Sequence, residues 1–366
     1  MTKPNLQKFD GLAVSSKFAI CGLPIRLDSY KTCSFGCAYC FSNNRKIMEF
    51  EKTLQVANVP SIEKRLSRIF DKGEVNETNF LDTLIANRIT WHCGGMSDPF
   101  QPIEGELNIT KDIVDITNRY DVSILFSTKS DNLYNVNINP HLHTFQLSVT
   151  NVYDREDIEP NVAPIEKRLE LFNYLKQNGF KVGIRIQPFI PNVTDIEIFK
   201  MFKDADHFTI EGIKLVPQNK EHKEYLIETL GLNQGDFTQK GLLTLKPEIR
   251  LELYKPIIEY CNENNLSYSI SDNDLRYIGN NHCCCGDKLV QKASNFDITA
   301  MIQDKGINYT IDDVLDRVRA LNCQNCVCKS LFTSNRTNGC STVEDFYNER
   351  FEKKSSPFSP KFQVIL

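Results

Sequence analysis

Residues 30–41 read Tyr-Lys-Thr-Cys-Ser-Phe-Gly-Cys-Ala-Tyr-Cys-Phe, with cysteines at Cys33, Cys37 and Cys40. Three thiolates at this C-x3-C-x2-C spacing can bind three corners of a four-iron, four-sulfur cluster, which leaves the fourth iron open to a small chelating molecule. A zinc site would need a fourth ligand nearby, and the stretch contains no histidine. A disulfide would leave one cysteine over. The spacing therefore favours a catalytic 4Fe-4S cluster over zinc or plain buried cysteines.

The composition narrows the class of protein and its compartment. The chain has 366 residues, thirteen cysteines and a formal charge of −4. Such a length suits one large α/β barrel or two ordinary domains. The sequence contains no apolar N-terminal signal and no stretch of about 18 apolar residues that could span a membrane. We therefore expect a cytoplasmic protein with no membrane partner, whose thiols are reduced or bind metal. The acidic balance gives no support for a nucleic-acid-binding surface.

Strand-like and helix-like segments alternate along the first 270 residues, which predicts an α/β fold with a parallel sheet in a partial (β/α)6, TIM-like barrel. Within the predicted strands, polar and apolar residues alternate, so each strand has one polar face. Polar inward faces indicate a lumen that holds water or a ligand. An antiparallel sheet with one solvated face is the alternative, but the long helical connections argue against it. The predicted strands are 23–30, 89–93, 122–128, 144–150, 181–187 and 208–216, and the predicted helices are 61–70, 109–119, 165–178, 195–202, 248–264 and 311–321.

A second informative stretch follows the second predicted strand. Residues 91–104 read Trp-His-Cys-Gly-Gly-Met-Ser-Asp-Pro-Phe-Gln-Pro-Ile-Glu. The cysteine loop, with Tyr39 directly before Cys40, resembles the signature of the radical S-adenosylmethionine superfamily. Residues 97–104, together with 146–150, 159–169 and 182–191, resemble its spore photoproduct lyase and DNA-repair-photolyase-like branch. The resemblance covers about residues 25–220 and implies a partial barrel of the radical S-adenosylmethionine type with a cysteine-rich C-terminal extension.

The resemblance implies specific chemistry. S-adenosylmethionine would chelate the open iron, and one electron from a donor such as flavodoxin or ferredoxin would cleave it to a 5′-deoxyadenosyl radical that abstracts a hydrogen atom. Glycine pairs at strand ends allow close backbone approach to a ligand, although an ordinary tight turn is the alternative for Gly94-Gly95. Arg168 would pair with Glu159 in support of the site, or remain a solvated charge. The implied cofactor contacts are Tyr39, Gly94, Gly95, Ser148, Thr150 and Arg185, of which Arg185 would reach either the cofactor or the substrate.

One position departs from the pattern of the family. Spore photoproduct lyases carry a hydrogen-donating cysteine two residues before the serine of Ser97-Asp98, where this sequence has Gly95. Cys93 lies two residues earlier and would share a strand face with that position, which makes it the candidate catalytic donor. A buried structural cysteine is the alternative. Because of this departure, thymine-dimer repair does not follow from the resemblance.

The C-terminal third has a different character, which divides the chain into a barrel domain, 1–270, and a cysteine-rich lobe, 271–366. Seven cysteines lie between Cys283 and Cys340, in a segment with little core of its own. Bound metal would hold such a segment together, so a second iron–sulfur cluster is the leading interpretation, with zinc or reduced thiols as alternatives. The candidate ligands are Cys284, Cys323, Cys326 and Cys340.

Three functions fit these observations. The leading hypothesis is a radical S-adenosylmethionine enzyme whose substrate, by resemblance, is a nucleic acid or nucleotide. The second is a peptide- or protein-modifying enzyme of the same superfamily with an auxiliary cluster. The third is a non-catalytic iron–sulfur redox sensor, against which the polar lumen and Gly94-Gly95 weigh. His141, His143 and His207 lack partners in the sequence and are predicted to be loop or core residues.

Overall fold

The computed structural model describes residues 6–15, 21–42, 54–240, 242–281, 283–303, 308–321 and 340–347. Strands and helices alternate through most of this length. The strands are β1 (Gln7–Phe9), β2 (Leu12–Val14), β3 (Ile25–Leu27), β4 (Gln55–Ala57), β5 (Trp91–Cys93), β6 (Ile124–Thr128), β7 (His143–Ser148), β8 (Val182–Phe189), β9 (His207–Gly212), β10 (Lys214–Leu215), β11 (Phe237–Lys240), β12 (Leu242–Leu245) and β13 (Tyr268–Ile270). The helices are α1 (Val59–Phe70), α2 (Phe80–Ala86), α3 (Glu104–Leu107), α4 (Ile109–Arg119), α5 (Ile165–Gln177), α6 (Glu197–Met201), α7 (Lys220–Thr229), α8 (Pro247–Glu263), α9 (Ile298–Gln303), α10 (Ile311–Arg319) and α11 (Val343–Tyr347).

The main sheet has eight strands in the order β13-β9-β8-β7-β6-β5-β3-β2. All pairs from β3 to β13 are parallel, and only β2 runs antiparallel to its neighbour at the edge. Neighbouring parallel strands follow chain order, and helices such as α4, α5 and α8 lie in the connections between them. The predicted α/β class with a mostly parallel sheet is confirmed.

The two faces of the sheet differ in chemistry, as the alternation predicted. On β7 and β8, Phe145, Leu147, Ile184 and Ile186 are buried in the main hydrophobic core. The intervening residues of these strands are polar, and they include Gln146 and Ser148 on β7 and Arg185 and Gln187 on β8. Because side chains alternate with a period of two residues, these groups share the opposite face.

A buried glutamate sets the position of α4 and of the loop before it. The Glu104 carboxylate accepts hydrogen bonds from the backbone N–H groups of Thr110 and Lys111, each at 2.9 Å, at the first turn of α4. The Tyr30 hydroxyl donates to the same carboxylate. Acidic groups stabilise a helix N-terminus because unpaired N–H groups point toward them. Glu104 thus connects the 94–104 loop to the start of the cysteine loop.

The predicted strand 208–216 is wrong in its second half. The chain leaves the main sheet after Gly212, whose N–H donates to Asp272 Oδ2 at 3.1 Å. β10 instead joins a small antiparallel sheet in the order β10-β12-β11. The apolar residues change from even positions, Phe208 and Ile210, to odd positions, Ile213 and Leu215, at this break, and the sequence analysis did not use this change of phase. The small sheet and α7 form an insertion, residues 214–245, whose Leu226 and Leu245 pack in one cluster with Phe35 of the cysteine loop.

The described C-terminal residues share the core of the main sheet. Phe296, Val314 and Phe346 belong to the same hydrophobic cluster as the strands, and Cys340 packs against it. The described residues after position 270 therefore do not form a hydrophobic core of their own. The predicted boundary between a barrel domain, 1–270, and a cysteine-rich lobe, 271–366, stays a prediction. Cys323 and Cys326 lie outside the described residues. Among the helices described here, none is both long enough and apolar enough to cross a membrane.

Candidate active site at the carboxyl ends of the strands

A cavity of about 370 Å³ lies at the carboxyl ends of β5 to β9. In parallel α/β sheets this edge is where ligands ordinarily bind. The cavity is lined by all three cysteines of the loop and by five other predicted site residues, which are Tyr39, Gly94, Gly95, Ser148 and Arg185. The fold thus brings together residues that are more than 150 positions apart in the sequence.

The cysteine loop is held in place by hydrogen bonds from the 97–104 segment and from residues 158–161. Gln101 accepts from the N–H of Ser34 at 2.8 Å and donates to the carbonyl of Thr32 at 2.9 Å. The N–H of Ala38 donates to the carbonyl of Ile158 at 2.9 Å. Gln101 is 1% exposed, whereas Ser34 is exposed, so a buried side chain holds a loop whose outer side faces water. The sequence analysis singled out the segment that contains Gln101 but did not predict that Gln101 would hold the cysteine loop.

A buried ionic network around Glu159 supports the last turn of the loop. The Tyr39 hydroxyl donates to the Glu159 carboxylate, and Lys129 Nζ lies 2.9 Å from it. Arg168 Nη2 lies 3.7 Å from the second carboxylate oxygen, which confirms the predicted pair. Burial opposes ionisation of Glu159, but Lys129, Arg168 and the Tyr39 hydroxyl together lower its pKa. Lys129 also lies over the Tyr39 ring, 5.3 Å from its centroid. Lys129 was missed by the sequence analysis.

The cysteines of the loop lie in a dry environment. Burial, with a smaller contribution from Asp98, raises the pKa of Cys33 to about 12. Burial also raises the pKa of Cys37 to about 12, although Lys129 opposes the rise. Binding to iron would release these protons, because thiolates are the ligands. Among the described residues, no three His, Cys, Asp or Glu side chains form a group that could hold a single metal ion. The three thiols nevertheless open onto one cavity, as ligands of a larger cluster must.

Gly94 and Gly95 differ in how strictly glycine is required. Gly94 has a φ of +101°, and a Cβ there would lie 2.2 Å from the carbonyl oxygen of Ser127. The backbone of Gly94 therefore lies directly against the end of β6, and only glycine fits. At Gly95 a Cβ would make ordinary contact with Arg26 Cδ at 3.5 Å, so the position has room for a side chain.

Several polar groups of the cavity were given no role in the sequence analysis, although one of them, Asp98, lies in a recognised motif. Asp98 accepts from Thr128 Oγ1 and from the N–H of Lys129, each at 2.7 Å, and burial raises its pKa. Lys214 pairs with Glu211 at the end of β9. The side-chain oxygen of Gln187 is buried with no hydrogen-bond partner among the described residues, although Gln187 lines the cavity. A bound ligand with a hydroxyl or N–H donor would satisfy that oxygen.

Cys93 and Thr150 do not line the cavity, in contrast to the sequence expectation. Cys93 is fully buried in the main core, and burial raises its pKa well above the usual value. The positive φ of Gly94 turns the chain, so the strand parity that linked Cys93 to Gly95 does not extend across it. Thr150 follows the end of β7 and is fully buried, and its carbonyl accepts from Thr194 at 3.0 Å. The geometry thus gives no support to a hydrogen-donor role for Cys93.

Cys284 lies in a second cysteine group near the amino ends of the strands. Cys21, Cys283, Cys284 and Cys285 pack with Leu23, Leu125 and Leu289 in a small apolar cluster. The segment is fixed to the sheet by Thr144 at the start of β7, whose hydroxyl donates to the Leu289 carbonyl at 2.6 Å. Cys340 packs against the main core instead. The sequence analysis did not include Cys21 in this group.

The protein belongs to the α/β class with a mostly parallel sheet. A loop with three cysteines lies beside a cavity at the carboxyl ends of the strands. Solved structures of spore photoproduct lyase share this fold. A cysteine-to-serine mutant matches with a TM-score of 0.55 at 14% identity, covering 72% of this chain and 80% of that one. A cysteine-to-alanine mutant with dinucleoside spore photoproduct matches with a TM-score of 0.54 at 14% identity, covering 71% and 78%. The resemblance proposed from the motifs is confirmed at the level of the fold.

Other comparisons add less. A further spore photoproduct lyase mutant, with bound S-adenosylmethionine and dinucleoside spore photoproduct, matches with a TM-score of 0.53 at 15% identity, covering 72% of this chain and 81% of that one. An uncharacterized protein of Methanocaldococcus jannaschii is 24% identical over 210 residues, covering 55% of this chain and 74% of that protein. No protein-family model matches the chain.

Proposed function

We propose that this protein is a radical S-adenosylmethionine enzyme. The observation that carries the proposal is the convergence of Cys33, Cys37 and Cys40 with Gly94 and Gly95 on one cavity at the carboxyl ends of parallel strands. Spacing alone allowed a three-thiol site, and the fold adds a ligand-sized cavity beside it. We further propose that the sheet forms a partial (β/α)6 barrel, which the chain-order arrangement of its strands supports.

The residues present fit a 4Fe-4S cluster and S-adenosylmethionine. Cys33, Cys37 and Cys40 would hold the cluster, and the backbone of Gly94-Gly95 would contact the cofactor. When bound, this pair supplies a one-electron reductive cleavage whose carbon radical abstracts a hydrogen atom. The unpartnered oxygen of Gln187 and the hydroxyl of Ser148 face the same cavity and can bind the polar groups of a nucleoside.

The side chains of the protein hold the cysteine loop in position and exclude water from one side of it. The buried Glu159 carboxylate fixes Tyr39 and, through it, the turn that carries Cys40. Gln101 fixes the beginning of the same loop at Thr32 and Ser34. The insertion packs Leu226 and Leu245 against Phe35 and thereby closes one side of the loop from solvent. A dry site strengthens every electrostatic contact made inside it.

Reductive cleavage assays test the proposal directly. The full-length protein, reconstituted with iron and sulfide without air, is mixed with S-adenosylmethionine and dithionite, and 5′-deoxyadenosine and methionine are quantified. We expect both products from the wild type and neither from a Cys33→Ala/Cys37→Ala/Cys40→Ala variant. Cys261→Ala, which removes a buried thiol from α8 far from the cavity, is the matched control and should retain product formation. Absence of 5′-deoxyadenosine in the wild type would favour the redox-sensor alternative.

The substrate class needs a separate experiment. By the family resemblance we propose a nucleic acid or nucleotide, and a peptide is the alternative. Binding to oligonucleotides that weakens steeply with salt would support the first, because phosphate contacts release counterions. A salt-independent interaction, or none, would favour the peptide. The electron would come from a donor such as flavodoxin or ferredoxin, and a second iron–sulfur cluster within residues 271–366 also remains a prediction.

A further inference from the structure

Five neighbouring strands each contribute a polar side chain to one row that crosses the polar face of the sheet. These residues are Arg26 on β3, His92 on β5, Ser127 on β6, Gln146 on β7 and Arg185 on β8, and we call them the inner row. His92 Nε2 lies 2.8 Å from Ser127 Oγ, and Ser127 donates to Gln146 Oε1 at 3.2 Å. Arg185 Nη1 donates to the same oxygen at 3.1 Å. Ser127 and Arg185 also line the cavity, so the row borders the space that a ligand can enter.

The cationic side chains that line the cavity differ in whether a carboxylate lies close to them. Lys129 pairs with Glu159 at 2.9 Å, and Lys214 pairs with Glu211. Arg185 has no carboxylate within 4.0 Å among the described residues, and its side-chain partner is a neutral amide oxygen. A guanidinium has five N–H donors in a planar fork that matches carboxylate and phosphate oxygens. Most of these donors are available toward the cavity.

The groups around His92 show that the inner row is electropositive. Burial, then Arg185, then Arg26 lower the pKa of His92 to about 3, so the imidazole is neutral at physiological pH. Arg26 is partly balanced by Asp28, at 2.8 Å. Arg185 also interacts with Cys284, whose pKa is lowered to about 6 by a hydrogen bond to Cys285 and, against burial, by Arg276 and Arg185. At neutral pH this sulfur is therefore mostly a thiolate, which offsets part of the positive charge from outside the cavity. That sulfur lies with the segment below the row, not in the cavity.

We propose that Arg185 binds a carboxylate or phosphate group of the substrate, next to Ser127 and His92 of the inner row. The inference rests on the proposed function, since it assigns the part of the cavity near Gly94 and the cysteine loop to the cofactor. The proposal assigns Arg185 to substrate binding instead of cofactor binding. It restricts the substrate to molecules that carry an anionic group. An anion at this position compensates the field of two guanidinium groups in a site of low dielectric.

The test uses small anions as probes. The full-length protein, reconstituted with its cluster and kept free of reductant, is titrated at neutral pH and constant ionic strength with inorganic phosphate and, separately, with acetate. Each titration is run without and with saturating S-adenosylmethionine, because an anion site that belongs to the substrate should stay open when the cofactor is bound. Affinity is measured by calorimetry, and the His92 ring is followed by NMR. We expect at least about a tenfold weaker affinity in Arg185→Gln, since charge-assisted hydrogen bonds are lost, and a smaller loss in Arg185→Lys. Arg119→Gln removes an exposed arginine at the end of α4 and should bind like the wild type.

The NMR signal separates a bound anion from a structural effect. At neutral pH the His92 imidazole is uncharged and lies 2.8 Å from Ser127 Oγ, so an anion bound beside this pair should shift the ring resonances of His92. Tighter phosphate binding identifies a phosphate group, and tighter acetate binding identifies a carboxylate. Equal affinity in wild type and Arg185→Gln, His92 ring resonances that neither anion shifts, or anion binding that saturating S-adenosylmethionine abolishes would overturn the proposal. Because the titrations contain no reductant, their result is independent of whether the protein forms 5′-deoxyadenosine.

Discussion

The sheet carries a group of cysteines near each of its two ends, and their surroundings are opposite. The loop group, Cys33, Cys37 and Cys40, faces the cavity at the carboxyl ends of the strands. The floor group, Cys21 and Cys283 to Cys285, packs among leucines near the amino ends. Burial raises the pKa of Cys33 and Cys37 to about 12. In the floor group burial also raises the pKa of Cys21, and hydrogen bonds to Cys283 and Cys284 raise that of Cys285, whereas the pKa of Cys284 is lowered to about 6.

The supports of the two groups explain why the loop group faces open space and the floor group is packed. Side-chain amides and a buried carboxylate hold the backbone of the loop, so its thiols remain directed to open space. In the floor group the backbone carbonyls face the polar side of the sheet, where Gln146 Nε2 lies 3.4 Å from the carbonyl of Cys284. The floor thiols therefore contact one another and apolar side chains. Spacing identified the loop group, whereas the packing of Cys21 with Cys283 to Cys285 is visible only in the surroundings of these residues.

The largest expected effect comes from removing each group in turn. Cys33→Ala/Cys37→Ala/Cys40→Ala should abolish 5′-deoxyadenosine formation, because no cluster remains to transfer the electron. Cys283→Ala/Cys284→Ala/Cys285→Ala, the matched variant of the floor group, should retain about four irons per chain on the loop. Iron and sulfide are measured after reconstitution without air.

The same measurement decides whether a second cluster exists. About four irons remaining in the loop variant would establish it and would make the floor group, with residues outside the described ranges, its candidate site. No remaining iron would remove the second cluster, and Cys284 would then be a packing residue. If the floor variant lost the iron of the loop while still folded, the contrast between the two groups would be false.

The next effect concerns the buried carboxylate that holds the loop. Glu159→Gln leaves Lys129 buried without its counter-charge and leaves Arg168 with only the partly exposed Asp154, at 4.0 Å, so we expect a loss of about 3 kcal/mol in the free energy of unfolding. Denaturant titration measures it. Glu170→Gln, in an exposed pair with Lys167 on α5, is the control and should change stability by less than about 0.5 kcal/mol. Equal losses in the two variants would show that the network does not support the loop.

The pH dependence of the same variant has a defined sign. The pKa of Glu159 is lowered in the folded state, so its contribution is present above the unfolded value of about 4.3 and is lost as pH falls through the folded pKa. The wild type should therefore lose stability in this acidic range more steeply than Glu159→Gln. Parallel curves would contradict the lowered pKa.

Much of the fold could be predicted from local patterns. Alternation in residues 145–150 and 182–187 gave the two faces of β7 and β8, since a period of two residues is a local property of a strand. The same rule was wrong where the backbone turns. The positive φ of Gly94 interrupts the parity that linked Cys93 to Gly95, and β7 ends at Ser148 before Thr150.

The site was predictable where a motif is contiguous and not where it depends on tertiary contacts. The loop cysteines lie within eight residues, so spacing alone identified them. Lys129 and Gln187 come from two different strands and carry no local signal, although each lines the cavity. Cys21 joins the floor group across more than 260 positions, a contact that no spacing in the sequence contains.

A smaller effect distinguishes the two glycines beside the loop. Gly94→Ala should cost about 2 kcal/mol or more, because the residue has a positive φ and its Cβ would overlap the Ser127 carbonyl. Gly95→Ala has room for its Cβ and should cost less than about 1 kcal/mol. Thermal and denaturant unfolding of the two variants give the comparison. If Gly95→Ala were the more destabilised of the two, the close approach of Gly94 to β6 would be disproved.

The smallest expected effect concerns His207, at the start of β9, which contacts the segment of the floor group. His207 is 1% exposed and lies 2.9 Å from the hydroxyls of both Ser267 and Ser269. A Cβ on Gly286, next to the floor cysteines, would lie 2.5 Å from the imidazole, so the two segments are in close contact. Burial and Lys288 lower the pKa of His207 to about 3. The folded protein therefore keeps this imidazole neutral where the unfolded chain, with a pKa near 6.5, already binds a proton.

This difference destabilises the folded state as pH falls below about 6.5, and it amounts to about 1 kcal/mol between pH 7 and pH 5.5. We expect His207→Gln to be less stable than the wild type at pH 7, with the gap shrinking by that amount at pH 5.5. His92 and His143 titrate in both proteins, so their contribution cancels in the comparison. A constant gap would mean that His207 does not couple the floor to pH. The Glu159 network begins to weaken only below about pH 4.3, so mild acid should loosen the floor while the cysteine loop keeps its ionic support.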